Sequence, residues 1–140
     1  MKTFILLILS GLFGGFTAVS AQSKAPVINK PRVEVYYFHP TERCPIDQTI
    51  EETTIKLMHS DFANEIKDGT IKFQVFNTED KANAKIVANF DINAQALYII
   101  KVDKGKEIKN DLTEFAFSNA QAKPLKFKYR LKDEIGKALK

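Results

Sequence analysis

Between Val33 and Phe38 every position but Glu34 is β-branched or aromatic. A half-exposed strand would alternate, so this run predicts a strand covered on both faces. Residues 39–43 follow as a loop. Ile46, Ile50, Leu57 and Met58 then recur at helical spacing, with Glu51, Glu52 and Lys56 on the opposite side, and predict a first helix from Pro45. Proline suits that position because the first helical N–H has no partner to lose, and Asp47, Glu51 and Glu52 lie near the positive end of the helix. Asp68-Gly69 marks a stop and turn. Ile71, Phe73 and Val75 alternate with Lys72 and Gln74, the pattern of a strand with one drier face. Residues 78–90 predict a second helix with Ala82, Ile86, Val87 and Phe90 inward. Residues 96–102 are the strongest strand pattern in the chain. Asp103-Lys104-Gly105-Lys106 is a hairpin turn leading into a short strand from Glu107 to Lys109. Asp111 or Thr113 caps a short helix through Phe117. Residues 124–140 form a basic amphipathic helix with Phe127, Leu131, Ile135 and Leu139 spaced by four.

The resulting order is β-α-β-α-β-β-α with an extra C-terminal helix. Two crossovers and a closing hairpin predict an α/β domain with a mixed central sheet and helices on its faces, the order of a thioredoxin-like fold. Internal repeats and low-complexity stretches are missing from the chain.

The first residues belong to a different pattern. Lys2 precedes the apolar run Phe4 to Leu9, the run resumes through Phe16 with three glycines inside it, and Val19-Ser20-Ala21 ends in small residues. This is the layout of a secretory signal peptide over residues 1–21. The run is short and interrupted for a membrane span, and no cysteine stands near Ala21 for lipid attachment. Residues 22–31 carry two prolines and read as an extended arm, leaving 32–140 as the domain. An extracytoplasmic, periplasmic or secreted location follows, with no membrane association expected after cleavage.

The 140 residues are 44% hydrophobic and 27% charged, a balance suited to one globular core. A net charge of +4 spread over mixed Lys, Arg, Asp and Glu is too weak to argue for nucleic acid. The lysines between Lys123 and Lys140 are interrupted by Asp133 and Glu134 and read as a solvated helix face. The sequence contains no Gly-rich phosphate loop and no nucleotide fingerprint, so no cofactor is expected.

The single cysteine, Cys44, stands where the loop after the first strand meets the first helix. Unpaired backbone N–H groups and the helix dipole favour a thiolate there. A Cys-x-x-Cys at this junction would be a dithiol redox motif, but the tetrapeptide is Cys44-Pro45-Ile46-Asp47. The attacking position is filled and the resolving position holds a carboxylate. At ~5 Å and an effective dielectric of ~20, that carboxylate repels a thiolate by roughly 3 kcal/mol, against ~0.3–1 kcal/mol offered by the helix terminus. Arg43 acts in the opposite sense. One cysteine excludes a complete dithiol oxidoreductase and leaves at most a monothiol exchange finished by an outside thiol. The rival is an inert Cys44, with Asp47 serving only the helix start. A third possibility is copper or zinc on His39, Cys44 and Asp47, with His59 more distant. Their spacing is not a specific metal pattern, and no metal ligand is assigned.

Val35-Tyr36-Tyr37-Phe38-His39, followed by Arg43-Cys44-Pro45 and by Gln48, Ile50 and Glu51, resembles the start of a bacterial thioredoxin-like family, the nitrophenyl compound nitroreductase subunit ArsF family. The stretch Asn110-Asp111-Leu112-Thr113-Glu114-Phe115-Ala116-Phe117 and the residues from Pro124 to Lys128 look like its later segment. The resemblance covers the chain from about Val33 onward. It implies a thioredoxin-like fold, export, and a cysteine motif at the start of the first helix. Cys44 matches that motif and Asp47 departs from it. A thioredoxin also places a cis-proline before the third strand, where Asn93-Ala94-Gln95-Ala96 stands here. Gln95 and Ala96, with His39, would line the corresponding groove. The family name implies association with nitroreduction, for which this chain carries no flavin or nicotinamide motif.

The expectation is therefore an exported thioredoxin-fold protein in which Cys44 is the nucleophile, Pro45 fixes the helix start, Asp47 modulates the thiol, and Arg43 flanks it. Its partner would be a protein or a thiol-bearing substrate. A redox-inactive protein-binding module is the alternative.

Overall fold

The structure, a computed structural model, describes residues 32–140. The expected signal peptide and arm lie outside the described residues. Strand β1 (Arg32–His39) is buried from Val33 to His39 because it is central: β2 (Ile71–Asn77) lies parallel to it on one side and β3 (Ala96–Asp103) antiparallel on the other. β4 (Lys106–Asp111) closes the edge beyond β3, giving a mixed four-stranded sheet in the order β2-β1-β3-β4. The β3–β4 hairpin turns on Lys104 and Gly105, both with positive φ (49° and 77°). That is what a two-residue turn of the primed type requires, and glycine adopts it at little cost.

Helices flank the sheet on both sides. Because successive side chains of a strand point to opposite faces, Val33, Val35 and Tyr37 of β1 enter one core and Tyr36 and Phe38 the other. The larger core lies under α1 (Pro45–Asp61), α4 (Thr113–Asn119) and α5 (Pro124–Ala138). Phe127, Leu131 and Ile135 of α5 are fully buried there, each worth about 1.5–3 kcal/mol relative to exposure. The smaller core is aromatic. Tyr36, Phe38, Phe76, Phe90 and Tyr98 meet with ring centroids 5.2–6.4 Å apart, under the short α3 (Ala84–Asn89). This sheet with its flanking helices is compatible with a thioredoxin-like domain.

Four sequence expectations need correction. The helix expected over 78–90 is a turn, a 3-10 turn at Lys81–Asn83, and then α3. The side chains of Asn77 and Asp80 accept the N–H groups of Glu79 and Ala82 at 2.9 Å, and such local bonds compete with a helix. The first helix ends at Asp61, and Phe62, 6% exposed, turns into the core before a separate α2 (Ala63–Lys67). The last strand runs over six residues, longer than Glu107 to Lys109. The N-cap of α4 is Leu112, with no side-chain capping bond, so neither Asp111 nor Thr113 takes the expected place; Asp111 Oδ1 accepts the N–H of Thr113 at 2.8 Å from one residue further out.

Candidate functional site

Four residues separate the end of β1 at His39 from Cys44, and the chain uses them to turn from the sheet into α1. Cys44 is the N-cap residue, in extended conformation (φ −77°, ψ 163°), and Pro45 opens the helix. The N-cap position ordinarily carries an oxygen acceptor. A thiol is a weak one, and the capping is taken over by Asp47, the third helical residue. Its Oδ2 accepts the N–H of Cys44 at 3.1 Å, while the Cys44 side chain stands over the N–H of Asp47 in the reciprocal half of a capping box. Cys44 is exposed, whereas Asp47 is 2% exposed.

A carboxylate at that depth needs partners, and β1 supplies one. The Tyr37 hydroxyl, at the centre of the sheet and fully buried, donates toward Asp47 Oδ1 at 3.2 Å and the Asp47 carbonyl at 3.1 Å. Burial first, and then the Asp47 carboxylate, hold the Tyr37 phenol protonated well above the ordinary tyrosine range. The tyrosine is therefore a fixed donor. Sequence reasoning missed Tyr37, because nothing in its position along a fully covered strand distinguishes a phenol with a partner from one without.

The hydrogen bonds of Arg43 go to Glu51 and His39. Its guanidinium pairs with Glu51 and lies against the His39 imidazole, with Nε 3.1 Å from Nδ1 and a terminal nitrogen 2.7 Å from Nε2. His39 Nδ1 is also 2.8 Å from the Pro40 carbonyl. The two contacts ask opposite things of Nδ1, since Arg43 Nε–H donates to it whereas the Pro40 carbonyl takes a proton from it, so one tautomer serves one of them at a time. His39, buried at 5%, thus acts as a floor under the loop, its ring 6.1 Å from that of Tyr37. Glu51, expected on the solvent side of α1, is the second residue that sequence reasoning missed. Its side chain is only 15% exposed because Arg43 covers it, and the signal available was its place four residues after Asp47, on the same helix face.

The structure brings His39, Arg43, Cys44, Pro45 and Asp47 together at the C-terminal end of β1. Ala96 pairs with Phe38 in the β1–β3 register, so Gln95, the next residue outward, lies at the same end of the sheet. Ala96 is buried and Gln95 half-buried. His59 is elsewhere, exposed in the last turn of α1, roughly 20 Å along the helix from Cys44. Among the described residues no group of three or more His, Cys, Asp or Glu gathers as a metal ion would need, and the nitrogens of His39 are engaged by Arg43 and Pro40.

Chemically, the arrangement offers one accessible sulfur at a helix N-terminus beside a buried carboxylate whose hydrogen bonds are structural. Comparison with protein families, with curated proteins and with solved structures returns no match.

Proposed function

We propose that this chain is an exported, thioredoxin-like protein whose one thiol, Cys44, performs thiol–disulfide exchange and depends on an external thiol to complete it. The observation that carries this reading is the pairing at the start of α1: an exposed sulfur at the N-cap and, at the position where a second thiol would resolve it, an acid committed to Cys44 N–H and Tyr37. The resemblance to the ArsF subunit family supports the same reading.

In the first step the Cys44 thiolate attacks one sulfur of a substrate disulfide. That S–S bond breaks, the leaving sulfur departs as a thiolate with the electron pair, and a mixed disulfide joins Cys44 to the substrate. Asp47 has no sulfur, so the intermediate persists. A low-molecular-weight thiolate then attacks the substrate sulfur of the mixed disulfide. Cys44 leaves as the thiolate it began as, and the external thiol ends in a disulfide with the substrate. No net electron comes from the protein. Pro45 fixes the helix start that presents the sulfur, and Asp47 places a negative charge beside it. Arg43 and His39 set the loop that carries it, while Gln95 and Ala96 stand at the sheet end where a substrate chain would lie.

The test is exposure of the native protein to glutathione disulfide, followed by intact-mass measurement. The expected result is one glutathione adduct per chain, absent in Cys44→Ser and removed by added thiol. A native Cys44 that forms no adduct contradicts the proposal and leaves the redox-inactive binding module.

A further inference from the structure

The first half of α5 carries two exposed apolar side chains set in positive charge. Leu125 and Tyr129, 67% and 66% exposed, stand one helical turn apart and so project from the same side, while Phe127 and Leu131 of the same turns are fully buried. Pro124 and Ala122 beside them are also exposed. From Phe115 to Lys132 the chain contains five cations and no carboxylate. The acids that interrupt the basic run in sequence are spent within the helix's second half: Asp133 pairs with Lys137 at 2.7 Å, and Glu134 with Arg130 and Lys137 at 3.1 and 2.9 Å. Arg130 and Lys132 are thus paired, with Glu134 and with Asp61, and among the described residues Lys123, Lys126 and Lys128 are the cations of this stretch that make no ion pair.

We propose that this face of α5 docks on an anionic lipid surface, although the sequence leads one to expect no membrane association after cleavage. A protein interface of ordinary stability covers about 800 Å² per partner around a well-packed apolar centre, and Leu125 and Tyr129 with their small neighbours are too few for that. A fluid anionic surface has no such demand. It attracts lysines spread over a helix face without matching their geometry, accepts a leucine, and suits a tyrosine whose ring is apolar and whose hydroxyl is wet. The association is peripheral: among the described residues no helix is long and apolar enough to cross a membrane. It also leaves the thiol free. Lys132 binds Asp61, the last residue of α1, at 2.7 Å, and the seventeen residues of α1 set that point about 25 Å from Cys44. The proposal does not depend on the redox chemistry of Cys44.

The chain has no tryptophan, so Tyr129→Trp in the full chain is a single local reporter of contact with lipid. Its emission should shift to the blue on adding vesicles of phosphatidylcholine mixed with phosphatidylglycerol and not on adding phosphatidylcholine alone. High salt should reverse the shift. In the same background Lys126→Gln with Lys128→Gln should weaken partitioning by about tenfold to thirtyfold, and Leu125→Ser by about tenfold. An emission unchanged by the mixed vesicles overturns the proposal, as does an equal shift with both vesicle types or a partition constant that neither variant moves.

Discussion

Replacing Asp47 by asparagine keeps the shape of the side chain and removes its charge, which separates what the carboxylate does for the fold from what it does to the thiol. On the fold side, Asp47 accepts from Cys44 N–H and Tyr37 Oη at 3.1 and 3.2 Å, and it stands in the first turn of α1. An amide can keep an oxygen on one of these donors, but both bonds lose their charge assistance and the helix loses its favourable end charge. The expected destabilisation is about 1–3 kcal/mol. On the chemical side, a thiolate at Cys44 shares the helix end with that fixed negative charge. Roughly 3 kcal/mol of repulsion at ~5 Å falls to no more than about 1 kcal/mol where water surrounds an exposed sulfur. A more stable thiolate is also a poorer nucleophile, which takes back part of the gain. The net expectation is a twofold to threefold faster reaction of Asp47→Asn with iodoacetamide at neutral pH (about 0.4–0.6 kcal/mol). Cys44 is the sole thiol, so alkylation needs no correction for other sites. A less stable variant that alkylates no faster than the parent would refute the electrostatic coupling and leave Asp47 as a helix cap only.

Other perturbations probe the surrounding set. Tyr37→Phe removes the buried donor to Asp47 and should cost about 1–3 kcal/mol in urea unfolding; an unchanged midpoint would mean that the hydroxyl does not support the carboxylate. Tyr36, Tyr37 and Tyr98 are each held protonated above the ordinary phenol range, first by burial and then by Glu34, Asp47 and Asp111 respectively. The unfolded chain gives up these protons from about pH 10 while the folded chain keeps them. The stability they contribute is thus complete below about pH 10 and is lost as pH rises beyond it, which urea midpoints across the alkaline range should show as a steady fall. Asp47→Cys places a second thiol three residues after the first across the same helix start. It should create disulfide reductase activity at some expense in stability from the lost cap; a folded variant with no activity would show that the sheet end at Gln95 and Ala96 does not admit a substrate.

The parts of this fold that depend on burial were legible in the sequence. β1 is an apolar run because both of its faces are covered, and the start of α1 was readable from Pro45 and Asp47, whose roles are set by local backbone chemistry. The break at Phe62 was not legible, because neither glycine nor proline marks it and its cause is a tertiary one, the burial of that ring. The short α3 was overextended because Ala82, Ile86, Val87 and Phe90 keep helical spacing while Asn77 and Asp80 satisfy the backbone locally instead. At the site, Cys44 and Asp47 were visible as a pair, since adjacency along a helix follows from spacing. Tyr37 and Glu51 were not, because periodicity gives the face a side chain occupies and not the partner it finds there.

A monothiol cycle closed from outside can be followed by steady-state reduction of a mixed disulfide between glutathione and a small thiol, with free glutathione varied as the second substrate. A protein-dependent rate should be seen that vanishes in Cys44→Ser and shows ping-pong dependence on the two substrates. A rate equal to that of Cys44→Ser, or one that persists without any external thiol, would contradict such a cycle.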